Sequence, residues 1–261
     1  MTQPGTEMSF WDHFSELRGV LMRVALTLIV LAVVFFIFMP NIFDAVILAP
    51  CRANFPLYRL FDAISPPDAG AEPFEVKLTN YKLASQMFIH LSTSFHLAIV
   101  AGFPMVIYQL WRFVKPGLYE RERRHAVRAF LFGNLMFYLG VGVGYFLVFP
   151  LTLRFLATYQ LSELIPNVIS LDSYIDNFMM IILVMGAVFE LPLLAWLLGR
   201  MGLLKKAFFG KYRRHAIVVL LIAAALITPT GDPVTLLIVF VPLYALWEFS
   251  STLVPSESKT V

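Results

Sequence analysis

One acid in the chain stands where acids are expensive. Glu190 lies in Phe189-Glu190-Leu191-Pro192, within an apolar run and ten residues before Arg200. That spacing is ~15 Å of helix, which sets the carboxyl near the middle of a bilayer. A charge there costs ~2.5–3.5 kcal/mol on insertion scales, so the group must be protonated, paired or turned toward a hydrated cavity. Pro192 has no N–H and releases the carbonyl of Val188 from its helical bond, adding a second polar group at the same height. Either a functional polar site or a helix-to-helix hydrogen bond accounts for the pattern.

Further acids sit among bases. Glu16 is accompanied by His13 and Arg18 ahead of the first apolar run, and Glu120 and Glu122 stand among Arg121, Arg123 and Arg124. A carboxylate accepts two parallel bonds from one guanidinium, whereas lysine offers a point charge, so acids at a membrane surface can tell an arginine pair from a lysine pair. Exposed ion pairs contribute only ~0–1 kcal/mol each, so recognition there needs partial desolvation and apolar contact as well. The alternatives are a solvated anchor for the segment before the first run and relief of local repulsion for Glu120 and Glu122.

Other chemistry is thin. His90, Ser92, Thr93, Ser94 and His96 crowd one segment, but His90 and His96 are six apart, ~240° around a helix, and cannot share a metal from one face. Packing or interfacial hydration explains them better. Cys51 is the only cysteine, which excludes an internal disulfide. No phosphate loop, His-Glu-x-x-His or nucleophile elbow is present, so no enzyme, cofactor or metal is expected.

The elements that must position these residues are membrane helices. Of 261 residues, 59% are hydrophobic and 14% charged, with mean hydropathy +0.76, too apolar for a globule of this size to bury. Runs at 19–39, 87–108, 129–149 and 178–198 match the ~20 residues of a membrane helix. Two shorter runs, 216–227 and 234–247, flank a turn-rich stretch from Thr228 to Pro233, and form either two short spans or one re-entrant hairpin. Helices this short require the bilayer to thin or the helices to sink toward one side.

With six spans, fifteen of the twenty Lys and Arg fall on the side of the N-terminus, against five on the other, which sets both termini in the cytoplasm. The net charge of +3 reflects that bias and not a nucleic-acid surface. The expected class is therefore an all-α integral membrane protein with six helices, the fifth and sixth short. Residues 1–18 are expected as an amphipathic cytoplasmic helix in the interface, with Phe10, Phe14, Leu17 and Leu21 on one side and Ser9 and Asp12 as a capping pair. Residues 19–254 form the membrane domain, and 255–261 a disordered cytoplasmic tail. Six prolines break 40–82 into short pieces of an outer cap, and Gly140-x-x-x-Gly144, with Gly142 between, allows close helix approach.

His13-x-x-Glu16-Leu17-Arg18, Tyr108-Gln109-x-Trp111-x-Phe113 followed by Pro116-x-Leu118-Tyr119-x-x-Glu122-Arg123, Phe189-Glu190-x-Pro192 and Thr228-Pro229-x-x-Asp232 occur in that order. Together they resemble the TatC family, receptor subunits of the twin-arginine protein translocase. The resemblance implies a receptor in the bacterial-type inner membrane that binds Arg-Arg signal peptides of folded precursors and organises single-span TatA and TatB partners, and further copies of itself. It also implies export driven by the proton-motive force. Glu16 and Glu122 match the acids that read the arginine pair, with His13 and Arg18 beside them; an offset would transfer the role from Glu122 to Glu120. Glu190 matches the intramembrane acid, and Pro50, Pro116, Pro192 and Asp232 match motif or structural positions. A proton-coupled solute carrier is the rival class, but 19–128 and 129–254 show no self-similarity of the inverted-repeat kind.

Overall fold

The computed structural model describes residues 10–64, 74–114, 120–162, 164, 167–228 and 231–254, with backbone alone at 10–14 and at the described positions of 113–129. The first apolar run belongs to α1 (Phe10–Ile42), a single helix of 33 residues. Residues 10–18, expected in a separate interfacial helix, run on into the first span without a break. Gly19 is the only helix breaker near the junction, and one glycine costs a helix only ~1 kcal/mol.

α1 continues through Pro40. Proline cannot donate to the carbonyl four residues back, and His90 Nε2 donates to that Phe36 oxygen instead at 2.8 Å, its ring stacked on Phe36 at 4.0 Å. The second span, α3 (Ser85–Val114), repeats the device. There Pro104 orphans the Val100 carbonyl, and the Tyr138 hydroxyl donates to it at 3.2 Å. His96 bonds within its own helix, from Nδ1 to the Ser92 carbonyl at 2.6 Å. Both histidines therefore serve packing.

The third span joins α4 (Glu120–Val143), a π turn at Gly144–Val148 and α5 (Phe149–Thr158). The fourth is split into α6 (Leu171–Val188) and α7 (Leu191–Arg200). α4 and α6 touch backbone to backbone: a Cβ on Gly140 would lie 2.5 Å from the Met185 carbonyl oxygen, and one on Gly144 would lie 3.3 Å from Ile182 Cα. Gly142 meets nothing within 4 Å, so the close approach belongs to its two neighbours. α6 carries the core, with Tyr174, Phe178, Ile181 and Met185 all buried and Phe149 edge-on to Phe178 at 4.9 Å.

Short α8 (Lys206–Lys211) leads into α9 (Arg213–Ile227) and α10 (Pro233–Leu253). Among the described residues five helical stretches are long and apolar enough to cross a membrane, and α9, packed against α10, is a further apolar helix and a short one. Its 15 residues cover ~22 Å. α10 has 21 residues, ~31 Å, and corrects the expectation of a short sixth helix. Polar groups lengthen it beyond its apolar run. Asp232 caps its start by accepting the Thr235 N–H at 2.7 Å, and beyond Trp247 the Glu248 carboxylate is held by Arg213 of α9 at 2.7 Å. Only α9 keeps the mismatch with bilayer thickness.

The prolines do divide the cap into pieces: the π turn Phe43–Ile47, a 3-10 turn at Ala49–Cys51, α2 (Pro56–Ile64), and β1 (Leu78–Thr79). β1 pairs in parallel with β2 (Ile169–Ser170), a two-residue ladder with no precursor in the sequence pattern. Tyr58 is 1% exposed, and its hydroxyl donates to the Pro50 carbonyl at 3.0 Å and approaches that of Pro150 at 3.2 Å. This clamps the cap to α5. Tyr58→Phe removes the donor that ties Pro50 to α5 and should lower stability by about 1–3 kcal/mol, read as a drop in thermal midpoint in detergent. An unchanged midpoint would show that the clamp is idle.

Candidate functional site at the basic end and the intramembrane acid

α1 and α3 run antiparallel, and three contacts fix their register. Arg23 Nε donates to Gln109 Oε1 at 3.1 Å, Leu28 and Leu31 close over Gly102, and His90 meets the Phe36 carbonyl. Gln109 is buried at 2% exposure, so Arg23 is anchored into the helix pair. Glu16 precedes Arg23 by seven residues, two helical turns, and therefore shares its face about 10 Å nearer the N-terminal end. α3 ends at Val114, so Glu16 lies at the same end of the helix pair as the C-terminal end of α3. It is partly exposed and, among the described residues, makes no ion pair, while Arg18 and Arg112 at the same end are exposed. The chemistry available is an unpaired carboxylate on a rigid helix beside a cationic rim.

His13 and Glu122 are helical in backbone, but their side chains lie outside the described residues, as do those of Glu120, Asp12 and Phe14; Ser9 and Pro116 lie outside them altogether. Pro50 and Asp232 fall at the opposite end of the bundle, one accepting from Tyr58 and the other capping α10. Their work there is structural.

Glu190 sits at the break between α6 and α7, immediately before the Leu191-Pro192 start of α7. Measured along the fourth span it lies nearer Arg200 than Leu171, on the side of the bundle's basic end. Its Oε1 is buried without a hydrogen-bond partner. The carboxylate faces Gly133 of α4, where an added Cβ would come within 3.2 Å of Oε2 and 2.8 Å of Leu193 Cδ2. The carbonyl of Val188, which has no N–H to accept from at Pro192, also receives no side-chain donor among the described residues. Where Pro40 and Pro104 have partners waiting for the freed carbonyl, Pro192 has none, and two acceptors are left side by side.

Sequence reasoning missed Gly133 and the Arg23–Gln109 bond. Gly133 was available as a signal, since it precedes Gly140 by seven residues and so lies on the same stripe of α4. The Arg23 partner is 86 residues away and carries no local signal. Among the described residues no cluster of three His, Cys, Asp or Glu side chains is poised to hold a metal.

The chain matches the family described as Sec-independent protein translocase protein (TatC) over residues 12–242. The chain belongs to the TatC family. It is 31% identical over 256 residues to the TatC of a Blattabacterium of Periplaneta americana, covering 96% of both chains. It is 32% identical over 246 residues to TatC of Deinococcus radiodurans, covering 93% of this chain and 84% of that one. A solved structure of the twin arginine translocase receptor TatC in the detergent DDM superposes with TM-score 0.74 at 27% identity, covering 93% of this chain and 99% of that one. Membership makes the chain a multi-pass membrane component of the twin-arginine translocase, a transport subunit and not an enzyme.

Proposed function

We propose that this TatC protein is the receptor that reads Arg-Arg signal peptides at the cytoplasmic face of the inner membrane, and that it organises TatA and TatB for export driven by the proton-motive force. The observation that supports the reading is the α1–α3 register, which brings Glu16 to the end of the helix pair where α3 stops, the end from which the α4 backbone sets out at Glu120. Two carboxylates, Glu16 on α1 and Glu122 on α4, suit two adjacent guanidiniums. Arg18 and Arg23 keep the rim basic, so a cationic leader is held there only where the placed carboxylates take up its guanidiniums.

Photo-crosslinking to a twin-arginine precursor from positions 16 and 122 tests this. Glu16→Gln and Glu122→Gln should each lower crosslinking about tenfold, a loss of ~1.4 kcal/mol, while membrane insertion is unchanged. A Lys-Lys precursor should crosslink to the unaltered protein as poorly as the Arg-Arg precursor does to the variants. Full crosslinking in both variants would reject the assignment.

Glu190 has a separate role in this reading. Its orphan oxygen and the free Val188 carbonyl take a hydrogen-bond donor from the single span of a partner, so Glu190→Ala should weaken TatA or TatB recovery in a detergent pull-down and leave peptide docking intact. Partner recovery equal to that of the unaltered protein removes this role.

A further inference from the structure

At the capped end, which the positive-inside bias sets outside the cell membrane, α2, α5 and α10 line an open surface cleft of about 470 Å³ whose lining includes Asp62, Ile64, Leu151, Arg154, Phe155 and Ile238. Arg154 brings a full charge to this boundary. Its guanidinium lies over three rings, 5.7 Å from the centroid of Tyr58, 5.5 Å from Phe61 and 5.8 Å from Phe74. Aromatic faces hold a cation in place without neutralising it. Asp62 opens onto the same cleft, yet among the described residues neither Arg154 nor Asp62 has an ion partner within 4.0 Å. A cation and an anion share one cleft and stay apart.

Apart from Thr158, whose hydroxyl donates to the Arg154 carbonyl at 2.7 Å, the rest of the lining is apolar, including Leu151 and Phe155 on α5 and Ile238 on α10. Beside it, α2 exposes Leu60 at 56% and Ile64 at 74%, as a helix does when it rests in the head-group layer. The cleft therefore presents separated opposite charges at the depth of lipid head groups and a greasy wall alongside.

We propose that this cleft binds an outer-leaflet phospholipid with a phosphoethanolamine head group. Arg154 takes the phosphate by charge-assisted hydrogen bonds, Asp62 accepts from the primary ammonium, and an acyl chain lies along Leu151, Phe155 and Ile238. An anionic glycerol head group offers Asp62 only neutral hydroxyl donors and no positive charge. A choline head group has no N–H to donate to it, and a free phosphate leaves the apolar wall uncovered. The bound lipid would tie cap, third span and α10 together where they meet.

Native mass spectrometry of the purified full chain, offered phosphatidylethanolamine, phosphatidylcholine and phosphatidylglycerol, reads the preference directly. The unaltered protein should retain the ethanolamine lipid about tenfold better than the choline lipid. Asp62→Asn should erase that preference without lowering choline-lipid retention, and Arg154→Gln should lower retention of all three. Equal retention of ethanolamine and choline lipids by the unaltered protein overturns the proposal. Because Arg154 also braces three rings of the cap, a second measurement needs no substitution. A phosphatidylethanolamine with a diazirine in its acyl chain, in vesicles holding the unaltered protein, should label 151–158 and the α10 turn around Ile238. Labelling spread evenly over the lipid-facing helices also overturns it.

Discussion

Gly140→Val should cost the protein its folded state, whereas Gly142→Val, two residues along the same helix, should leave it intact. A side chain at 140 would begin 2.5 Å from the Met185 carbonyl oxygen and 2.7 Å from Phe189 Cβ. The nearest obstacle is backbone, which cannot rotate aside, so α4 and α6 would have to separate. That separation would open the seam beside Met185, which is fully buried in the main core. Overpacking of a well-filled core commonly costs about 1–3 kcal/mol, and moving two helix backbones apart places Gly140→Val at or above the top of that range. Gly142→Val carries the same gain of a β-branched side chain in the same helix but meets open space, so it isolates the collision from the change in propensity. The measurement is the fraction of each variant that elutes as a single species after detergent extraction. Equal recovery of the two would mean that α4 and α6 slide apart freely.

The same seam shows what a sequence can and cannot display. Hydropathy marks the middle of each span because lipid selects every residue there alike, so the centres of α1, α3, α4 and α6 were legible. Helix ends were not. α1 begins nine residues before its apolar run, since nothing between Phe10 and Gly19 stops a helix, and α10 outlasts its own run because Arg213 holds Glu248 from another helix. Glu190 announced itself through its cost in lipid, which needs no partner to be recognised. Its surroundings stayed hidden. That Gly133 makes room for it, and that the Val188 carbonyl goes unanswered while those of Phe36 and Val100 find His90 and Tyr138, depends on helix register. Register is fixed by contacts between residues tens of positions apart, and no periodicity within one helix encodes it.

Stability and export should move in opposite directions at Glu190. Methionine matches the length of glutamate, lacks a branch at Cβ and carries no hydrogen-bonding oxygen, so Glu190→Met fits opposite Gly133 without a clash. It removes a buried carboxyl oxygen that has no partner, and relief of such a group is worth about 1–3 kcal/mol. The thermal midpoint of the purified protein should therefore rise. If the proposed docking of a partner span on Glu190 holds, export of a folded twin-arginine reporter should fall at least about tenfold, since ~1.4 kcal/mol in a rate-limiting assembly step is sufficient for that. Glu190→Gln keeps an acceptor oxygen and should export at an intermediate rate. A stabilised Glu190→Met that still exports at the full rate would make the acid a packing residue of the α4–α6 seam. A destabilised one would mean that the carboxyl already has a partner in the resting protein. Natural proteins retain a destabilising group where function needs it, and a midpoint and an export rate that move apart are the sign of one.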